Sequence, residues 1–143
     1  MKKIASIILV LVMIFAFTGC ANKVSKSEAK DQAEAFLEAI EKGDFEQAKT
    51  YLHPEKSVDL EKYFNNKELQ GGIDFQKGIE ITKYTNYSSS LHETEVDGGE
   101  YELEMNVTVD GNAIEMSIDV VRNDLGFGIY DFDVDLENLG IDD

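Results

Sequence analysis

Apolar positions follow two different periods along this chain, and the change falls near residue 78. Before it the spacing is helical. Ala29, Ala33, Phe36, Leu37 and Ile40 share one face of a helix, and Ser25 with Glu28 has the spacing of a capping box that would start it. Gly43 is placed to end that helix, since a left-handed residue past the last turn costs least as glycine. Asp44 then caps a second helix, with Gln47 at the reciprocal position and Phe45, Ala48, Tyr51 and Leu52 inward. The only proline, Pro54, stops it. A third short helix is predicted from about Ser57 to Asn65, burying Leu60, Tyr63 and Phe64, and Gly71-Gly72 breaks the pattern.

From Gly78 onward the period is two. Ile79 and Ile81 alternate with polar residues, and the run through Tyr84, Tyr87 and Ser88 to Ser90 continues as extended, more polar chain. Tyr101, Leu103, Met105, Val107 and Val109 form one face of a second strand, with Glu100, Glu102 and Glu104 on the other. Asp110-Gly111 is a hairpin signal, because a two-residue turn of the favoured twist needs positive φ at both positions. Ile114, Met116, Ile118 and Val120 pair back across it. A last strand after Gly126 is predicted to turn Tyr130, Phe132, Val134 and Leu136 inward and Asp131, Asp133 and Asp135 outward. Helices first and strands afterwards give an α+β domain, N-terminal helices packed on an antiparallel sheet, not an alternating parallel one.

The segment from Ala33 to Leu52, with its Phe36-Leu37, Ala39-Ile40, Gly43-Asp44-Phe45, Ala48 and Tyr51-Leu52 positions, resembles the opening helix pair of nuclear transport factor 2-like (cystatin-like superfamily) domains found in small bacterial lipoproteins. The resemblance covers about twenty residues closely. It implies a strongly curved, cone-like sheet with the helices in its concavity, often around a pocket. Folds of that kind host enzymes, binding proteins and adaptors alike.

The first residues follow a different logic. Lys2 and Lys3 precede an uncharged stretch from Ile4 to Phe17, the order of a signal peptide. Its 14 residues span about 21 Å as a helix, short of the roughly 30 Å of a bilayer's hydrocarbon core. Phe17-Thr18-Gly19-Cys20 resembles the lipobox of bacterial lipoproteins, with Phe17 where Leu is usual. That resemblance implies cleavage after residue 19, a diacylglyceryl thioether on Cys20, and residence on the extracytoplasmic side of a cell membrane. Cys20 is the only cysteine, so no internal disulfide can form. The expected layout is a leader over 1–19, a lipidated tether over 20–27 and one domain over 28–143.

Charge narrows the partners. The chain carries 13 basic and 29 acidic residues; removing Lys2 and Lys3 leaves 11 against 29, a net −18. Residues 84–143 hold Arg122 as their single base against 16 acids. Such a surface repels phosphate backbones, which disfavours nucleic acid as a partner.

Candidate chemistry is sparse. The two histidines, His53 beside Pro54 and His92 in a polar run, are expected to be exposed, leaving no imidazole base for the interior. Asp131, Asp133 and Asp135 resemble part of a calcium loop, but the sixth residue from Asp131 is Leu136, not glycine, and the twelfth is Asp142, so an EF-hand is excluded. As a strand face beside Glu100, Glu102, Glu104, Glu115 and Asp119, the three carboxylates would attract divalent cations weakly; no other cofactor is expected. Tyr84, Tyr87, Tyr101, Met105, Met116 and Tyr130 are the residues that would line a ligand pocket beneath the helices, if one is open. The resulting expectation is a membrane-tethered, non-enzymatic binding or adaptor domain for an extracytoplasmic protein or small apolar ligand. The alternatives are a pocket enzyme performing proton transfer, as in isomerases or dehydratases, and a structural envelope component.

Overall fold

The computed structural model describes residues 23–92 and 98–141. The leader, Phe17, Thr18, Gly19 and Cys20 lie outside the described residues, as does the side chain of His92. The fold is α+β: three helices, α1 (Lys26–Glu41), α2 (Phe45–Lys49) and α3 (Leu60–Gly71), precede four strands, β1 (Ile79–His92), β2 (Gly98–Val109), β3 (Asn112–Asn123) and β4 (Gly126–Asp135). The strands form one antiparallel curved sheet in the order β1-β2-β3-β4.

Local signals set most boundaries. The Ser25 hydroxyl accepts from the Glu28 amide at 3.2 Å while the Glu28 carboxylate accepts from the Ser25 amide at 3.0 Å, the reciprocal box that satisfies two orphan amides at the start of α1. Gly43 follows the helix at φ +68°, and Asp44 caps α2 through the Gln47 amide. Asp110 (φ 49°) and Gly111 (φ 77°) make the tight turn between β2 and β3.

α1 starts at Lys26, as the Ser25–Glu28 box predicts, and Val24 just before it is buried. Two boundaries depart from the sequence reading. The second helix ends at Lys49 rather than at Pro54, because Tyr51, Leu52 and His53 turn into a short extended segment bonded to β4. The third helix starts at Leu60, capped by Asp59, and runs on to Gly71, with Gly72 in the left-handed conformation beyond it.

α1 reaches all four strands, so its apolar stripe of Ala29, Ala33, Phe36, Leu37 and Ile40 faces Leu103, Met105, Ile118, Phe132 and their neighbours. The rings of Phe36, Phe64 and Phe132 lie 5.4 to 6.2 Å from one another, and Phe75 meets Phe64 edge-on at 5.0 Å. Met105 and Met116 are paired across β2 and β3 and are 1% and 2% exposed. The space between helices and sheet is therefore occupied by side chains where the sequence left room for a pocket.

Candidate functional site

The six residues expected to line a pocket separate into three places. Met105 and Met116 are core. Tyr84, Tyr87 and Tyr101 come together, half-buried, on the inward face of β1 and β2, with ring centroids 5.5 Å apart for Tyr84–Tyr87 and 6.5 Å for Tyr87–Tyr101. Tyr130 is not with them. The register skips one residue of β4 between the pairs Asp119↔Asp131 and Val120↔Ile129, a bulge that makes Tyr130 the unpaired residue and hands its inward place to Ile129, which is fully buried. Tyr130 instead meets the His53 ring edge-on at 6.0 Å.

The tyrosine strip is covered by α1, which runs opposite to β1. The Glu41 carboxylate accepts from the Ile79 amide at 2.9 Å, the Tyr84 hydroxyl donates to Glu34 at 2.8 Å, and Lys30 and Lys26 lie over the rings of Tyr84 and Tyr87 at 4.6 and 3.6 Å. Burial, reinforced by the hydrogen bond to Glu34, pushes the Tyr84 phenol well above its usual pKa, so it stays protonated and acts as a donor. The strip is thus an aromatic surface already roofed by cations.

His53 corrects the sequence reading most sharply. It is 1% exposed. Its Nδ1 accepts from the Glu55 amide at 3.2 Å, which leaves Nε2 to carry the proton and donate to Asn123 Oδ1 at 3.0 Å. The same Asn123 oxygen accepts from the amides of Leu125 and Gly126, and its amide nitrogen donates to Glu55 at 3.1 Å. With both ring nitrogens engaged, His53 ties the α2–α3 connection to the β3–β4 turn and presents no free base.

That tie closes one edge of the sheet. The Ile129 amide donates to the Tyr51 carbonyl at 2.9 Å and the His53 amide to the Ile129 carbonyl at 2.8 Å. Further along, the Val134 amide donates to the Tyr63 hydroxyl at 3.1 Å. The outer side of β4 is covered.

On the face opposite the helices the register lines up Glu102, Asp119 and Asp131 in one row, Glu104, Ser117 and Asp133 in the next, and Glu115 with Asp135 in a third. Asp131 meets Lys56 at 3.0 Å; Asp133 accepts from the Tyr63 hydroxyl at 3.1 Å and has Lys67 at 3.9 Å; Asp135 accepts from the Glu137 amide at 2.8 Å. The three aspartates are spaced about 7 Å apart along one strand and each serves a different contact. Among the described residues no group of three or more His, Cys, Asp or Glu side chains is placed to hold a metal ion.

Arg122 was visible in the sequence as the single base of residues 84–143. It donates to the Lys23 carbonyl at 2.7 Å and to Glu28 at 2.9 Å, and its guanidinium lies 4.4 Å from the Phe127 ring centroid, so it fixes the start of the domain to β3. Burial pulls the Glu28 carboxyl upward, but the hydrogen bonds from Arg122 and Ser25 outweigh it and hold that group below the usual carboxylate pKa.

The sequence matches no protein-family model, and no significant match is found among curated proteins or, by fold, among solved structures. Among the described residues no helix is long and apolar enough to cross a membrane.

Proposed function

We propose that this chain is a lipid-anchored extracytoplasmic lipoprotein whose domain, of the nuclear transport factor 2-like kind, is a binding or adaptor module that recognises its partner on its surface. The observation that carries the second half of this reading is the filled interior. The concave face that would hold a substrate is packed with Phe36, Phe64, Phe132, Met105 and Met116. The buried polar side chains among the described residues, His53 and Lys67, are engaged beside β4, not in that interior. Depressions such as the one lined by Glu38, Lys42, Gln47 and Tyr51 between α1 and α2 are open and largely polar, which suits protein contact better than enclosure of an apolar ligand. The first half rests on the order Lys2-Lys3, Ile4 to Phe17, and Thr18-Gly19-Cys20. The helix pair joined at Gly43-Asp44 and the antiparallel meander after it support the family reading.

A naphthalene-sulfonate dye that fluoresces in apolar cavities tests the filled interior. The native protein is expected to leave its emission unchanged, whereas Phe36→Ala, which opens space at the centre of the core, raises it. Strong, saturable dye binding to the native protein, displaced by a fatty acid, would contradict surface recognition and point to an internal ligand.

A further inference from the structure

The two edges of the sheet are treated differently. β4 is covered by residues 51–53 and Tyr63, as described above, whereas no described strand pairs with the outer side of β1. Edge strands in soluble proteins are blunted by bulges, lysines, prolines or covering segments. The first half of β1 has such devices: Thr82 and Thr85 are skipped in the register with β2, and Lys83 is exposed between them. From Tyr84 to Leu91 the strand has no charged residue and no proline, and after Thr85 it pairs with β2 without interruption to His92.

The direction of its backbone groups follows from one row of the sheet, Ser89–Tyr101–Val120–Ile129. Ile129 turns its amide and carbonyl outward to residues 51–53. In antiparallel ladders bonded and non-bonded pairs alternate. Val120 therefore faces Tyr101, Tyr101 faces away from β1, and Ser89 presents its amide and carbonyl to the open edge. The neighbouring row agrees, since the Tyr87 amide is met at 2.9 Å by the side chain of its own neighbour Asn86 instead of by β2. Ser89 and Leu91 are left as the open hydrogen-bonding positions.

Charge selects the occupant. On the outer face Asp131, Asp133 and Asp135 have partners, but Glu102 and Glu104, the acids one strand in from the open edge, make no hydrogen bond or ion pair among the described residues. Between them and the edge stand only Ser88 and Asn86, both short and exposed. A strand added beside β1 would lie about 10 Å from β2, within reach of a Lys or Arg side chain laid across Ser88 and Asn86. A second copy of this chain would bring its own net −16 to the same place.

We propose that the Tyr87–Leu91 edge of β1 receives an extended, basic segment of a partner protein by strand addition. Basic residues at every second position face Glu102 and Glu104, and uncharged residues between them face the tyrosine strip. The main-chain bonds at Ser89 and Leu91 supply alignment, and the two carboxylates supply selectivity. This inference rests on the domain being a binding module, and it is independent of the lipid anchor.

The test uses the chain purified from membranes in neutral detergent and a capped Lys-Thr-Lys-Val-Lys-Thr-Lys peptide. Calorimetry should show saturable binding that weakens with salt, and the amide of Ser89 should exchange more slowly when the peptide is present. Ser89→Pro removes an edge donor while leaving the ladder to β2 intact, and is expected to weaken binding at least about tenfold with an unchanged melting curve. Glu102→Gln with Glu104→Gln, which keeps the backbone edge, should weaken the peptide and abolish discrimination against its Glu-for-Lys counterpart. No binding, or binding indifferent to both sets of substitutions, overturns the proposal; indifference would mark diffuse attraction to an acidic surface. Self-association lost on Ser89→Pro would also overturn it, assigning the edge to a second copy. A lost anchor would appear as altered membrane retention with peptide binding intact.

Discussion

Replacing Gly128 by alanine tests the covering of β4 with a single methyl group. A Cβ at Gly128 would stand 2.5 Å from the His53 amide nitrogen and 2.6 and 2.7 Å from the carbonyl carbon and oxygen of Leu52. All three are backbone atoms, so the overlap is relieved only by moving residues 51–53 away from the strand. That movement breaks the Ile129–Tyr51 and His53–Ile129 hydrogen bonds and the His53–Asn123 bond. At about 1 kcal/mol each the loss is about 3 kcal/mol. The stiffer unfolded chain returns about 0.4 to 1 kcal/mol, leaving a destabilisation of about 2 to 3 kcal/mol. With a urea m-value of about 2 kcal/mol/M, the unfolding midpoint falls by about 1 to 1.5 M. Urea denaturation followed by far-UV circular dichroism measures it directly. A midpoint equal to or above that of the native protein would refute the reasoning, for it would mean that residues 51–53 do not hold the β4 edge.

Three further outcomes follow from other parts of the fold. Phe36→Ala removes a fully buried ring from the aromatic cluster and is expected to cost about 3 to 5 kcal/mol in the same denaturation experiment; a cost under about 1 kcal/mol would mean that the core is loose. Arg122→Ala should cost about 1 kcal/mol at neutral pH. Because the Glu28 carboxyl is held below its ordinary value of 4.5, that contribution is present above about pH 4.5 and is lost as pH falls through the lower folded-state value. The stability gap between the two proteins should thus close in acid, and a gap that widens there would contradict the pairing. Millimolar calcium should leave the thermal midpoint unchanged, given the separate engagements of Asp131, Asp133 and Asp135; a rise of several degrees would require a cation site on the acidic face.

Much of the architecture was legible because short-range signals and alternation agree. The Ser25–Glu28 box, Gly43, Asp44 and the Asp110-Gly111 turn each act within a few residues, and the structure uses every one. The candidate site was less legible because its determinants are long-range. His53 looks like an exposed loop residue beside Pro54, and nothing nearby announces that Asn123, seventy positions away, will accept its hydrogen bond. At Ile129-Tyr130 two apolar residues adjoin, so alternation alone cannot say which turns inward, and the bulge decides for Ile129. The onset of α3 was placed near Ser57, three residues early, because the Asp59 side chain, which accepts from the Lys62 amide, is what caps it. Tyr84, Tyr87 and Tyr101 do share the inward face, but their roof of Lys26, Lys30 and Glu34 depends on how α1 lies across β1.

We propose that this domain is held to a membrane by lipid at Cys20 and recognises its partner from there. The most direct measurement is the intact mass of the protein extracted from membranes of a bacterium that processes lipoproteins, read beside a Cys20→Ser variant. A lipid anchor at Cys20 predicts a chain beginning at Cys20, heavier than its amino acids by at least a diacylglyceryl group, and a variant that retains its leader and gains no lipid. A membrane-extracted native protein with a free Cys20 thiol, or one cut at another position, would contradict it.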